Sequence, residues 1–390
     1  MQYRPFGKLE FAVSILGFGA MRLPTQNDKI NEEEARKLIY YAIDHGVNYL
    51  DTAYLYHNGA SEEFLGRVLK GNLRQKIKLT SKLPCWLVKT SADFDTFLDT
   101  QLKRLGTDCL DFYLLHSLNA ATWDRLLKLD VLNWAEKARQ AGRFRWFGFS
   151  FHDSYDVFIR ILSAYPWDIC QIQYNYMDVE NQAGQAGLRE AFKRQIPVVV
   201  MEPLLGGKLA ARPPKPVQEI WDRAPLRRTP VAWALEWLWD QPEATTVLSG
   251  MSSLEQVKEN VALASRPKPL TGQDQDLIAE VREAFRKLAA IPCTRCGYCM
   301  PCPQGVDIPA NLNTYNDGLM YNSPEAARGT YQWWESAYFK FHVFDRDIRA
   351  AACIRCALCE TKCPQSIPIS SWMPVIHKVL GEGSPYCKQI

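Results

Sequence analysis

Eight of the twelve cysteines fall in two runs after residue 290, C-T-R-C-G-Y-C-M-P-C-P and C-I-R-C-A-L-C-E-T-K-C-P. These place Cys293, Cys296, Cys299 and Cys302 before Pro303, and Cys353, Cys356, Cys359 and Cys363 before Pro364. Three thiolates at two-residue intervals can wrap one face of an iron-sulfur cube, and a fourth just before a proline turns away toward a second cube. The spacing therefore implies two 4Fe-4S clusters. One would take Cys293, Cys296 and Cys299 with Cys363, the other Cys353, Cys356 and Cys359 with Cys302. Four-cysteine zinc sites, the alternative, normally use separated C-x2-C pairs rather than two runs of four. A secreted disulfide scaffold would spread its cysteines through a short chain. Of the four cysteines outside the runs, Cys109 and Cys170 sit in strand-like segments as small core residues.

A second constellation is acid-base in character. Asp51 and Tyr56 lie in D-T-A-Y-L-Y, Lys82 in T-S-K and His116 in L-L-H, each at or just past an apolar run. Reducing a carbonyl by hydride transfer develops an alkoxide, so a general acid must stand within hydrogen-bond reach. Tyrosine titrates near ~10 when free. A lysine ammonium about 4 Å away would favour its phenolate by ~4 kcal/mol at an effective dielectric of about 20, on the order of a thousandfold in the acid constant. Asp51 would hold Lys82 charged, and His116 would donate to the carbonyl oxygen and align it.

These residues need a frame that brings successive strand ends together. From Leu16 to about Ser265, strand-length apolar runs alternate with helix-period segments in eight cycles: LGFGAM, VNYLDT, KIKLTS, CLDFYLLH, RFRWFGFS, DICQIQYN, IPVVVME and ATTVLSGM. Asn31 with Glu34 resembles a capping box that opens a helix, Gly46 is placed to end it, and Ser61 to Gly71 repeats the logic. Nearly continuous apolar strands, each followed by a helix, imply a parallel sheet. Eight cycles in about 250 residues fit a closed (β/α)8 TIM barrel, whose sites lie at the C-terminal ends of its strands. An open doubly wound sheet is the alternative, but no G-x-G-x-x-G follows the first strand. The expected division is a barrel over residues 1–265, a linker and connecting helix over 266–290, and a mainly α-helical cluster domain over 291–390. Within the barrel stretch, A-R-P-P-K-P-V at 211–217 reads as a loop.

Residues 1–265 resemble the aldo-keto reductases through D-T-A-x-x-Y-x-x-G-x-S-E, the strand-end lysine, Y-L-L-H and Y-N. Residues 291–390 are similar to two-cluster bacterial ferredoxins of the α-helical type, although the first run has two residues before its last cysteine where the usual run has three. The reductase resemblance implies that Asp51, Tyr56, Lys82 and His116 are the catalytic tetrad, and that the cofactor is NADP(H) or NAD(H). Ser150 and Gln171 take positions that bind the nicotinamide carboxamide, with Phe151 where the family has Asn. Met201 falls where an aromatic commonly stacks on the nicotinamide. Glu259 and Asn260 match adenine-side positions, whereas Gly250 and Gln256 replace the Lys and Arg that often bind the 2′-phosphate. The helix start near Ser252 can hold a phosphate, and Lys258 is a nearby cation. A barrel phosphate site can also take a flavin, for which the sequence carries no motif. Cys85, Trp86, His152 and the loop around Pro213 are expected to line the substrate pocket.

Composition narrows the partners. Forty-six basic against 43 acidic residues leave no basic stripe, which argues against nucleic acid and anionic membrane. The apolar stretch F-A-V-S-I-L-G-F-G-A-M is too short to span a bilayer, so a cytoplasmic location is expected. The expected function is an oxidoreductase interconverting a small carbonyl and alcohol, joined through its clusters to a one-electron partner such as a ferredoxin or flavoprotein. Two other functions share these features: an electron-transfer or docking protein with an inactive barrel, and a reductase whose clusters are structural.

Overall fold

The computed structural model describes residues 1–388. Eight parallel strands close into a barrel: β1 Leu16–Gly19, β2 Tyr49–Asp51, β3 Lys78–Leu83, β4 Leu110–Leu118, β5 Phe144–Phe151, β6 Ile169–Gln173, β7 Val198–Met201 and β8 Ala244–Ser249. Each pairs with its sequence neighbours, and β8 pairs with β1 to close the ring. All eight expected cycles are present. Most of their residues are buried on both faces of the sheet, as nearly continuous apolar runs require. Gly148 in β5 is needed for closure: a Cβ there would lie 2.4 Å from the Ile169 carbonyl oxygen on β6.

Local signals set the helix boundaries. Asn31 Oδ1 accepts from the Glu34 N–H at 3.3 Å at the start of helix Glu32–Asp44, and Gly46 follows its end with φ +96°. The next helix starts at Ala60, and Ser61 is not its cap. The Ser61 hydroxyl points inward to Thr52 Oγ1 at 2.8 Å, because a buried hydroxyl needs a hydrogen-bond partner. A hairpin, Tyr3–Phe6 with Leu9–Ser14, precedes the barrel and packs Phe6 and Val13 against Tyr49, Phe112 and Ile169 near the strand starts. The opposite ends of the strands are left for chemistry.

By contacts the chain groups into two compact units, Met1–Gly206 with Val231–Leu270, and Gly207–Pro230 with the chain from Thr271 onward. The Pro213 loop thus groups with the C-terminal unit. In that unit, helix Gly272–Arg286 opens on a capping box between Thr271 and Asp274. Asp274 is also held by Arg228 at 3.0 Å. Beyond it come helices Ile308–Met320, Pro324–Phe339 and Ile369–Leu380, a mainly helical arrangement. Their shared core includes Tyr315, Tyr331, Trp372 and Ile376. Among the described residues, no helix is long and apolar enough to cross a membrane.

Candidate active site and cluster loops

Asp51 ends β2, Lys82 is the penultimate residue of β3, and His116 lies near the end of β4. The Lys82 ammonium is 1% exposed and donates to Asp51 Oδ1 at 2.5 Å, the Thr52 carbonyl at 3.0 Å and Tyr56 Oη at 3.3 Å. Its three protons therefore have three acceptors. The His116 ring meets Tyr56 edge-on, with centroids 6.2 Å apart, and lies 5.0 Å from Trp86. Arg125 holds the short turn that carries Trp86 by donating to the Cys85 carbonyl at 2.9 Å. The Cys85 thiol is buried and accepts from the His116 N–H at 3.2 Å.

Burial dominates the electrostatics. It raises the Tyr56 pKa above the ordinary 10, and the nearby Lys82 offsets this only in part. The expected fall toward neutrality is therefore absent, because the low dielectric that strengthens the lysine's attraction also penalises the phenolate. Burial, followed by the Lys82 ammonium and His152, holds His116 well below 6.5, so its ring is neutral. Burial likewise lowers His152, to about 4. The Nδ1 of His116 and the Nε1 of Trp86 are buried without a hydrogen-bond partner. Such orphans are costly unless a ligand completes them.

Behind the tetrad lies a polar network with weak sequence signals. Glu62, fully buried, accepts from Ser81 Oγ and from Gln101 Nε2, both at 2.6 Å, and pairs with Arg104 at 3.2 Å. Gln101 also donates to the Lys82 carbonyl at 3.0 Å and accepts from the Tyr113 hydroxyl at 2.7 Å. This ties the backbone of Lys82 to helix Ala92–Leu105. Helix Ala60–Val68 approaches closely because Gly66 has no side chain; a Cβ there would meet the Arg104 carbonyl oxygen at 2.3 Å. Glu62 is visible as the acid of the S-E pair, whereas Gln101 looks like any polar residue of an amphipathic helix.

The nucleotide-type positions divide into open and occupied ones. Gln171 donates from Nε2 to Asp51 Oδ2 at 3.4 Å, while its Oε1 is buried and unpartnered. That orphan suits the amide of a nicotinamide carboxamide. Ser150, one strand over, accepts from the Ser117 N–H at 2.8 Å. Met201 ends β7. Asn260 is buried and donates to Ser249 at 2.9 Å, so it ties its helix to β8. Glu259 precedes it in helix Leu254–Ser265. At that helix's start the Gln256 side chain folds back to accept the Ser252 N–H at 2.8 Å, and Lys258 lies over the Tyr41 ring. Arg22, which the sequence reading missed, runs along Gly250. Its aliphatic carbons lie 3.1–3.2 Å from where a Cβ would stand, and its guanidinium lies over Gly206.

The eight clustered cysteines surround two adjoining cavities. Cys293, Cys296, Cys299 and Cys363 line one, and Cys302, Cys353, Cys356 and Cys359 line the other, with Cys299 shared. Each cavity is lined by at least four cysteines and by no His, Asp or Glu, a donor set that suits iron-sulfur ligation. Helix Ile308–Met320 holds both loops. Asn316 accepts from the Ala290 and Ile291 N–H groups at 3.1 and 2.9 Å, just before Cys293. Asn311 accepts from the Ala350 N–H and donates to the Ile348 carbonyl, both at 2.8 Å, just before Cys353.

Residues 15–283 match the Aldo/keto reductase family. The chain belongs to that family. Residues 292–367 match the 4Fe-4S dicluster domain, so the reductase barrel is followed by a ferredoxin-type module. L-galactose dehydrogenase of Arabidopsis thaliana is 26% identical over 300 residues, covering 72% of this chain and 93% of that protein. A fission yeast protein, aldo-keto reductase yakc [NADP(+)], is 29% identical over 208 residues, covering 50% of this chain and 60% of that protein. In structure, the holo form of an aldo-keto reductase from Bacillus halodurans superposes with a TM-score of 0.62 at 28% identity, over 72% of this chain and 96% of the other. The aldo/keto reductase described here is thus an NAD(P)H-dependent oxidoreductase that carries an iron-sulfur module.

Proposed function

We propose that this reductase interconverts a small carbonyl compound and its alcohol using NADP(H) or NAD(H). The observation that carries this reading is the buried Asp51–Lys82–Tyr56 chain beside a neutral His116. Nicotinamide, when bound, supplies or accepts the hydride. Gln171 offers its orphaned Oε1 to the carboxamide, together with Ser150, and Met201 provides an apolar surface at the end of β7. Tyr56 Oη holds the proton that a nascent alkoxide takes, and Lys82 steadies the phenolate that remains. His116 and Trp86 present ring N–H groups to the substrate oxygen, which would relieve their buried, unpartnered state.

Arg22 along Gly250 supports a phosphate at the loop after β8, where the family's usual cation is missing. We therefore favour the phosphorylated nucleotide, the form printed in the name of the yeast relative.

The two thiol sets support two 4Fe-4S clusters exchanging electrons with a one-electron partner. Reducing one carbonyl takes two electrons, and two cubes hold one each. Nicotinamide exchanges electrons in pairs, so direct coupling of the two modules calls for a flavin. Eight reduced thiolates support a cytoplasmic setting. As sequence modules we retain a barrel over 1–265, a connector over 266–290 and a cluster segment over 291–390.

Anaerobic titration with NADPH and with NADH, in the presence of aldehydes, tests these readings together when followed by visible absorption and electron paramagnetic resonance, with flavin content measured. Aldehyde turnover accompanied by cluster bleaching is expected. Turnover with clusters that never change oxidation state would make them structural staples, and absence of turnover would make the barrel a docking module.

A further inference from the structure

The two cysteine loops share a surface pattern that ligation alone does not require. In C-T-R-C-G-Y-C and C-I-R-C-A-L-C, Arg295 and Arg355 occupy the same place, each with φ +59°. Gly297 and Ala357, two residues on, also have positive φ, +77° and +57°. The side chains on either side are exposed: Tyr298 by 67%, Ile354 by 63% and Leu358 by 55%, with Arg295 and Arg355 also in solvent. Single exposed apolar residues are ordinary, but a group of large ones beside a redox site marks a contact surface. Ile354, Leu358 and Lys362 border one cavity, and Tyr298 adjoins in sequence Cys299, which borders it too.

Charge adds to this. Glu360 is the one acidic residue within either run, and its Oε1 accepts from the Ser370 N–H at 2.7 Å. Arg355 and Lys362, both exposed, therefore stand beside one engaged carboxylate. The thiolate-bound cubes would carry negative charge of their own. That charge is held on sulfurs of cysteines that are mostly half-buried, while Arg355 and Lys362 are exposed. Cys296 and Cys356 are themselves exposed, which would bring each cube near the surface.

We propose that this face docks a small acidic one-electron carrier of the ferredoxin class. Arg355 and Lys362 meet its carboxylates, and Tyr298, Ile354 and Leu358 form the dry centre of the contact. One electron leaves the reduced carrier and enters an oxidised cube, with no bond formed and no proton moved. Two encounters load the two cubes with one electron each. The proposal rests on the cluster reading, which iron analysis of the holoprotein tests before any mixing; a preparation without cluster iron defeats that reading first.

The test is stopped-flow reduction of the holoprotein by reduced, acidic plant-type ferredoxin, with binding of the oxidised carrier measured by calorimetry. The second-order rate is expected to fall by about tenfold between low salt and about 0.3 M salt. A combined Arg355→Glu and Lys362→Glu variant should lose roughly another tenfold in rate and bind correspondingly weakly, while its reduction by dithionite is unchanged. Leu358→Ser should weaken binding even in high salt. A salt-independent rate, or faster reduction by a basic carrier, overturns the proposal. So does an equal loss with dithionite, which would place the effect on cluster potential rather than docking.

Discussion

Replacing Lys82 by methionine should separate what the buried ion pair does for stability from what it does for chemistry. Lys82 and Asp51 are 1% and 2% exposed, and without the ammonium the carboxylate keeps only the 3.4 Å contact from Gln171. Breaking a buried pair from one side costs about 3–5 kcal/mol, because the remaining charge is uncompensated. Burial already raises the Asp51 pKa against the pull of Lys82, and removing the lysine raises it further. A carboxyl whose folded pKa exceeds its unfolded value binds its proton more tightly when folded. The variant's stability relative to the parent should therefore be greater at pH 5 and decline as pH rises through the folded pKa of Asp51. Denaturant unfolding followed by tryptophan fluorescence at pH 5 and pH 8 reads this difference. The double variant Asp51→Asn with Lys82→Met should regain most of the lost stability and none of the carbonyl reduction, which should fall by at least ~100-fold in both. A single variant as stable as the parent at pH 8, or a double variant no more stable than the single, would refute the reasoning.

Tyr56→Phe should slow carbonyl reduction at least ~100-fold while nucleotide binding, measured by fluorescence, stays nearly intact. Because the Tyr56 pKa lies above 10, the parent's reduction rate should be flat through neutral pH and fall only in strongly alkaline solution; a break near pH 7 would place the acid elsewhere. Gln171→Leu should weaken nicotinamide nucleotide binding by up to about tenfold, the worth of one hydrogen bond, and equal affinities would remove Gln171 from the site. Arg22→Ala should weaken NADPH by about tenfold or more and NADH less, since a charged hydrogen bond is the stronger loss; equal losses would place Arg22 away from the 2′-phosphate. Cys363→Ser should lower iron from about eight to about four per chain and leave the same resonance spectrum as Cys293→Ser, while Cys302→Ser should match Cys353→Ser. Matching of Cys363→Ser with Cys353→Ser instead would replace crossed ligation by one cluster per run.

The barrel was legible because its strands are buried on both faces and read as apolar runs, and because the regular alternation with helices leaves few architectures. The tetrad was legible for a related reason: Asp51, Lys82 and His116 are polar residues near the ends of such runs, where burial of a charge needs a purpose. What escaped detection carries no periodic signal. The hairpin before β1 is short, and its role depends on Phe6 meeting Tyr49 and Phe112, residues far away in sequence. Gln101 sits on a helix whose polar residues mostly face water, and nothing local marks it as the one that reaches the Lys82 carbonyl. Asn311 and Asn316 likewise look like ordinary helix residues until the cluster loops are seen hanging from them.

The acidity of Tyr56 shows the limit most clearly. Spacing along the strands gives the neighbour, and Coulomb's law then gives a large favourable effect of Lys82 on the phenolate. The same enclosure that brings the two atoms to 3.3 Å removes the water that would solvate the phenolate, and this second effect is the larger. A side chain's degree of enclosure depends on every element around it, so motif spacing does not encode it. The chemistry follows from the balance. A phenol protonated throughout the neutral range always holds the proton that carbonyl reduction needs, whereas the phenolate that would accept a proton from an alcohol is scarce there.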